Sequence, residues 1–147
     1  MKSACRRFYT VLVLFFMPLL TGCASHRLSE FQLYDGNETL PPEHQRVEII
    51  RGAINNNKID IHFSKQVGQN KKEGDLTLTG KEFDKYSQMI RSTTLKGFQP
   101  LMGADSFDVT FYYADGQSTN GEPSNPAAWR EFESFIEKQT EQTSSKE

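Results

Sequence analysis

The sequence predicts an α+β domain of two layers, an antiparallel sheet carrying two amphipathic helices on one face. Three observations carry this. Residues 59–64 and 107–113 alternate apolar and polar side chains, the period of a half-buried strand. Phe83, Tyr86, Met89 and Ile90 lie on one helical stripe, as do Trp129, Phe132, Phe135 and Ile136. Each stripe follows a hairpin candidate, and the two are spaced identically, 46 residues apart. The expected order is therefore ββα-ββα, with both helices against the same side of the sheet.

In chain order, residues 31–34 suit a brief strand, closed by the turn sequence Asp35-Gly36-Asn37. Pro41-Pro42 cannot sit inside a central strand, so residues 39–44 are expected to be a connector. Residues 47–54 and 59–64 form a hairpin around Asn55-Asn56-Asn57-Lys58, because Asn tolerates turn backbone and bonds its own main chain. Residues 67–74, with Lys71-Lys72-Glu73, suggest a polar loop, and Leu76 and Leu78 a short strand after it. Thr79 and Glu82 have capping-box spacing and predict a helix start. Gly97 and Pro100 mark an irregular stretch over 94–106. Asp115-Gly116 turns the 107–113 strand into a short return strand at 117–119. Asn125-Pro126 provides a helix cap and a proline at the first position. From Lys138 onward the chain is Gln, Thr, Ser and Glu, expected to be a solvated tail.

The N-terminus has a different character. Lys2, Arg6 and Arg7 precede an apolar run over 8–20, a signal-peptide pattern that is too short to span a bilayer as a helix. It ends Leu20-Thr21-Gly22-Cys23. This resembles the lipobox of bacterial lipoproteins, a resemblance confined to residues 1–24. It implies cleavage before Cys23, a diacylglyceryl group on the Cys23 thiol and an acyl chain on its amine. Two or three such chains hold a protein on a membrane permanently, at about 0.8 kcal/mol per buried CH₂. The next residue is Ala24 rather than the Asp that retains such proteins at the inner membrane, which implies the periplasmic face of the outer membrane. The expected organisation is a signal over 1–22, a lipidated tether over 23–30, one domain over 31–138 and a disordered tail over 139–147.

The chain after the signal has 125 residues, with 14 basic side chains against 19 acidic ones, a formal balance of −5. That length suits a single small core. The acidic balance, without a basic stripe, argues against nucleic acid as a partner. Cys5 falls in the signal and Cys23 is the lipidation site, so neither a free thiol nor a disulfide is expected.

No catalytic residue is assigned. His26, His44 and His62 are not at metal-ligand spacing, so no metal site is expected, and the only covalent groups implied are the lipids on Cys23. His62 and Ser64 lie two residues apart on a strand, about 7 Å, too far for a nucleophile–base pair. Gly116 and Gly121 have phosphate-loop spacing, but Glu122-Pro123 follows where a lysine is required. Asp105, Asp108 and Asp115 show nothing that sets a glycosidase separation. Tyr112 and Thr110 lie on the strand face opposite Phe111 and Tyr113, and with His62 they form a candidate binding surface. The expected role is binding a periplasmic protein as an accessory or inhibitory factor, an immunity lipoprotein being the narrower form. A peptidoglycan hydrolase and a structural spacer are the alternatives. Cys23→Ala should move the protein from the membrane fraction to the soluble one. Retention in the membrane after a high-salt wash would refute the lipid anchor.

Overall fold

A computed structural model describes residues 26–37, 40–97 and 105–144. Cys23, the signal sequence and residues 98–104 of the expected irregular stretch lie outside the described residues. The elements are β1 (Leu28–Gly36), β2 (Arg46–Ile54), β3 (Lys58–Val67), β4 (Asn70–Thr79), α1 (Gly80–Ser92), β5 (Leu95–Lys96), β6 (Ser106–Tyr113), β7 (Ser118–Pro123) and α2 (Pro126–Ser144). A 3-10 turn, Pro42–His44, fills the proline-rich connector. The strands form one sheet in the order β4-β3-β2-β1-β6-β7-β5, with every neighbouring pair antiparallel.

The α+β architecture is as expected, but the ββα-ββα order is not. The hairpin expected over 47–54 and 59–64 forms as β2-β3, but a full strand, β4, stands between it and α1; the second hairpin, β6-β7, leads into α2. β1 precedes both hairpins and takes the centre of the sheet, and β5 adds an edge. The two hairpins do not pair with each other, because β1 stands between them, bonded to β2 and to β6.

Four local expectations are also corrected. The sheet begins at Leu28, inside the expected tether, because β1 pairs with β6 from Leu28↔Tyr113 onward. Only Gly68 and Gln69 turn between β3 and β4, and Asn70 through Thr79 pair continuously from Val67↔Asn70 to Lys58↔Thr79. Charged residues suit that position, since an edge strand is guarded against adding a further strand by its own charges. The Thr79 side chain makes no cap hydrogen bond; Gly80 follows it at φ 57°, a left-handed corner where a capping box has its first helical residue. Finally, α2 runs to Ser144 instead of fraying at Lys138. Thr140 is buried against Gly74, where a Cβ would lie 3.2 Å from its methyl carbon.

Strand parity divides the sheet into two faces. Phe31, Leu33, Ile50, Ile54, Ile59, Ile61, Phe63, Leu78, Val109 and Phe111 point to the helices and are buried. From α1 come Tyr86 and Ile90, and from α2 come Trp129, Phe132 and Ile136. Trp129 packs edge-on to Phe31 at 5.6 Å and Phe132 at 5.8 Å between ring centroids, and is tilted on Phe111 at 6.3 Å. Among the described residues, no element covers the opposite face.

Gly52 lies opposite Phe31 in the β1–β2 register, and a Cβ there would fall 2.1 Å from the Phe31 ring. The ring is 1 % exposed and walled in by Trp129 and Phe132, so it has no room to turn away. Gly52→Ala should therefore lower stability by about 1–3 kcal/mol. The readout is a lower urea midpoint at unchanged slope. Phe31→Leu in the Gly52→Ala background should recover part of the loss.

Candidate functional site

The uncovered face carries a concave depression of ≈ 760 Å³ over β1 to β4 and the end of β6. It is built from two cross-strand rows. The first is Tyr112, Glu30, Ala53, Asp60 and Thr77; the second is Gln32, Arg51, His62 and Asp75, a row that Thr110 continues on β6 beyond the depression. Polar side chains share the lining with Ala53 and the Tyr112 ring, and Phe31, Gly52, Ile61 and Leu76 of the intervening positions also contribute to it.

Neighbouring groups hold one another in position. Arg51 Nε donates to Gln32 Oε1 at 3.0 Å. His62 Nδ1 lies 2.9 Å from Asp75 Oδ1, and a carboxylate acceptor requires the proton on Nδ1. Lys58 lies 2.8 Å from Asp60, whose other oxygen accepts the Thr77 hydroxyl at 2.9 Å. Those two bonds, that from Lys58 the larger, hold the Asp60 carboxyl below its ordinary value. The lining carries three carboxyl side chains, Glu30, Asp60 and Asp75, against Arg51 and the Lys58 ammonium bonded to Asp60, a small acidic excess.

Of the sequence-derived candidates, Tyr112 and His62 both line this depression. Tyr112 keeps 39 % of its surface exposed. Thr110 shares the open face but does not line the depression; its hydroxyl accepts from Asn120 Nδ2 at 2.7 Å. It stands in the same row as His62 but three strand spacings away, about 14 Å, so the two do not touch. His62 pairs with Asp75 and not with Ser64, whose hydroxyl instead faces Glu73 at 3.5 Å. Among the described residues, no group of His, Cys, Asp or Glu is arranged to hold a metal ion. Nor is any described helix long and apolar enough to cross a membrane. Comparisons with family models, with characterised proteins and with solved structures find no match to this chain.

Sequence reasoning missed Glu30, Gln32 and Arg51. The first two fell inside the expected tether or a strand read as brief, and Arg51 interrupts no pattern. It also missed a second polar cluster, on the helix side at the far end of the sheet. Asp35, Glu48 and Glu133 are all buried there, and Glu48 is only 1 % exposed. Arg46 and Arg130 both donate to Asp35 Oδ2, at 3.4 and 3.2 Å. Lys65 lies 3.3 Å from Glu48 Oε2 and donates to Glu137, while neither Glu48 oxygen receives a well-directed hydrogen bond. Four carboxyls thus meet three cations. Burial, then the charges of Glu48 and Asp35, push the Glu133 carboxyl up to about 8. With Glu133 neutral the cluster balances. A signal existed in the sequence: Glu48 is in phase with Ile50 and Ile54, and Glu133 with Trp129, Phe132 and Ile136.

The Glu133 proton links stability to pH. Below the ordinary carboxyl value of 4.5, folded and unfolded chains both carry it, and the contribution is fully present. Between there and about 8 only the folded chain does, so stability falls as pH rises. The slope approaches about 1.4 kcal/mol per pH unit, since one proton separates the two states. Glu133→Gln keeps a neutral hydrogen-bonding group and should remove this slope. The check is the difference in unfolding free energy between variant and wild type from pH 5 to 8, in which the other titrating groups cancel. A difference that does not grow with pH would show that Glu133 is ionised in the folded protein.

Proposed function

We propose that this is a small lipid-anchored protein, facing the periplasm from the outer membrane, that binds a protein partner through the open face of its sheet. It acts there as an accessory or inhibitory factor; an immunity lipoprotein blocking an incoming toxin is the narrower form. The observation that carries the proposal is the one-sided core. The large buried apolar side chains of the sheet point to the helices, while the other face presents a broad concavity with Arg51, Tyr112, Gln32 and three carboxylates at its surface. A spacer gains nothing from such a face, whereas a binder needs an exposed aromatic and an arginine of this kind, the residue types that dominate interface energies. The Cys23 tether would confine the encounter to the membrane surface.

One feature favours the hydrolase alternative, the His62–Asp75 pair within the concavity. The two readings separate experimentally. Crosslinking and affinity capture from intact envelopes should yield a stoichiometric partner with the lipidated protein and little with Cys23→Ala. Tyr112→Ala and Arg51→Glu, both surface changes, should each weaken capture by about tenfold or more without altering the unfolding midpoint. Absence of any partner, together with turnover of cell-wall substrate that disappears in His62→Ala, would replace the binding function with an enzymatic one.

A further inference from the structure

His26 and Arg27, the first two described residues, are not loose. The His26 ring stacks on Tyr113 at 3.9 Å between centroids and 16° between planes, and its Nδ1 lies 3.0 Å from Asp115 Oδ2. The Gln117 backbone N–H and then His26 hold the Asp115 carboxyl below its ordinary value, so it remains an anion. The Arg27 carbonyl accepts the Ala114 N–H at 2.9 Å, and its guanidinium donates to Asn56 at 2.8 Å. Singly these exposed contacts are weak. Together they pin the start of the domain to two turns, 55–57 between β2 and β3 and 114–117 between β6 and β7. Both turns lie at one end of the sheet. The opposite end, where β1 stops at Gly36 and β2 begins at Arg46, is about 27 Å away along a nine-residue strand.

Cys23 precedes His26 by three residues, a reach of about 11 Å at full extension. The tether is therefore shorter than half the length of the strands, and its fixed end is at the two turns. Lying flat on the open face would press an acidic depression against phosphate-bearing headgroups, an unfavourable encounter. We infer that the sheet stands end-on, with turns 55–57 and 114–117 against the lipid headgroups and the open-face depression just above them. The row Tyr112, Glu30, Ala53, Asp60 and Thr77 lies no more than two residues from the strand ends on that side, about 7 Å. A partner reaching the depression meets it beside the bilayer, so the segment that docks is membrane-proximal. This rests on the proposed lipidation of Cys23.

The test uses the mature lipidated protein, in which the Cys23 thiol is blocked and an introduced cysteine is the sole labelling site. Asn57→Cys and Gln69→Cys, both in exposed turns at opposite ends of β3, carry the same fluorophore. The proteins are placed in vesicles of phosphatidylethanolamine and phosphatidylglycerol containing a headgroup nitroxide. Quenching should be several-fold stronger at position 57 than at position 69. In the His26→Ala/Arg27→Ala double variant the two should converge while flotation with the vesicles persists. Equal quenching, or stronger quenching at position 69, in protein that floats would overturn the end-on arrangement and leave the lipid anchor standing. An unequal pattern that survives the double variant would refute the role of the pinning contacts. Failure of the parent protein to float after a salt wash would overturn the anchor and the orientation together.

Discussion

The packing of Trp129 is the contact on which the rest of the structure depends. Its side chain is fully buried, and its Nε1 donates to the Thr93 hydroxyl at 3.1 Å. That hydroxyl also lies 2.9 Å from the Met89 carbonyl and 3.0 Å from Asn125 Oδ1, either of which can take its proton. One indole thus joins the end of α1 to the start of α2 through a satisfied buried donor. Its ring meets Phe31 on the central strand β1 and Phe111 on β6, the strand through which the β6-β7 hairpin joins the sheet. With Phe132 and Ile136, which are equally buried, it holds α2 against the sheet.

A core organised in this way is one-sided. Ten sheet positions from five strands meet five helix positions, and the hydrophobic driving force is exhausted on that side. The other face is then held by hydrogen bonds and ion pairs among exposed groups, which contribute little to stability individually. The arrangement separates two tasks. Folding depends on the helix side, and side chains on the open side are available for recognition at small cost to the fold. The buried charge cluster on the helix side, around Asp35, Glu48 and Glu133, is tolerable because three cations and one retained proton neutralise it.

The sequence and the structure part company where local pattern and tertiary partner disagree. Residues 67–74 look like a loop because lysine, glutamate and glycine have weak strand preference, yet from Asn70 onward they pair residue by residue with β3, and Lys72 reaches Glu141 on α2. Thr79 and Glu82 have capping-box spacing, but Thr79 ends a strand paired with Lys58 and the chain leaves it through a left-handed corner at Gly80, with no cap bond. Glutamine and threonine beyond Lys138 look like a tail, but Thr140 finds a seat against Gly74 on β4. In each case a contact distant in sequence overrode the local preference.

From the sequence alone came the expectation of an export signal and a Cys23 tether, the α+β class, both helical stripes and the face on which Tyr112, Thr110 and His62 lie. These are properties of short windows, because the 3.6 and 2.0 residue periods assign a face without knowledge of the neighbour. Only the tertiary structure decided that β1 divides the two hairpins, that Tyr112 and His62 share a depression with Arg51 while Thr110 stays outside it, and that Glu133 is buried among other carboxyls. Those facts are relations between strands and helices far apart in the chain. Periodicity fixes which way a side chain points; packing decides what it points at.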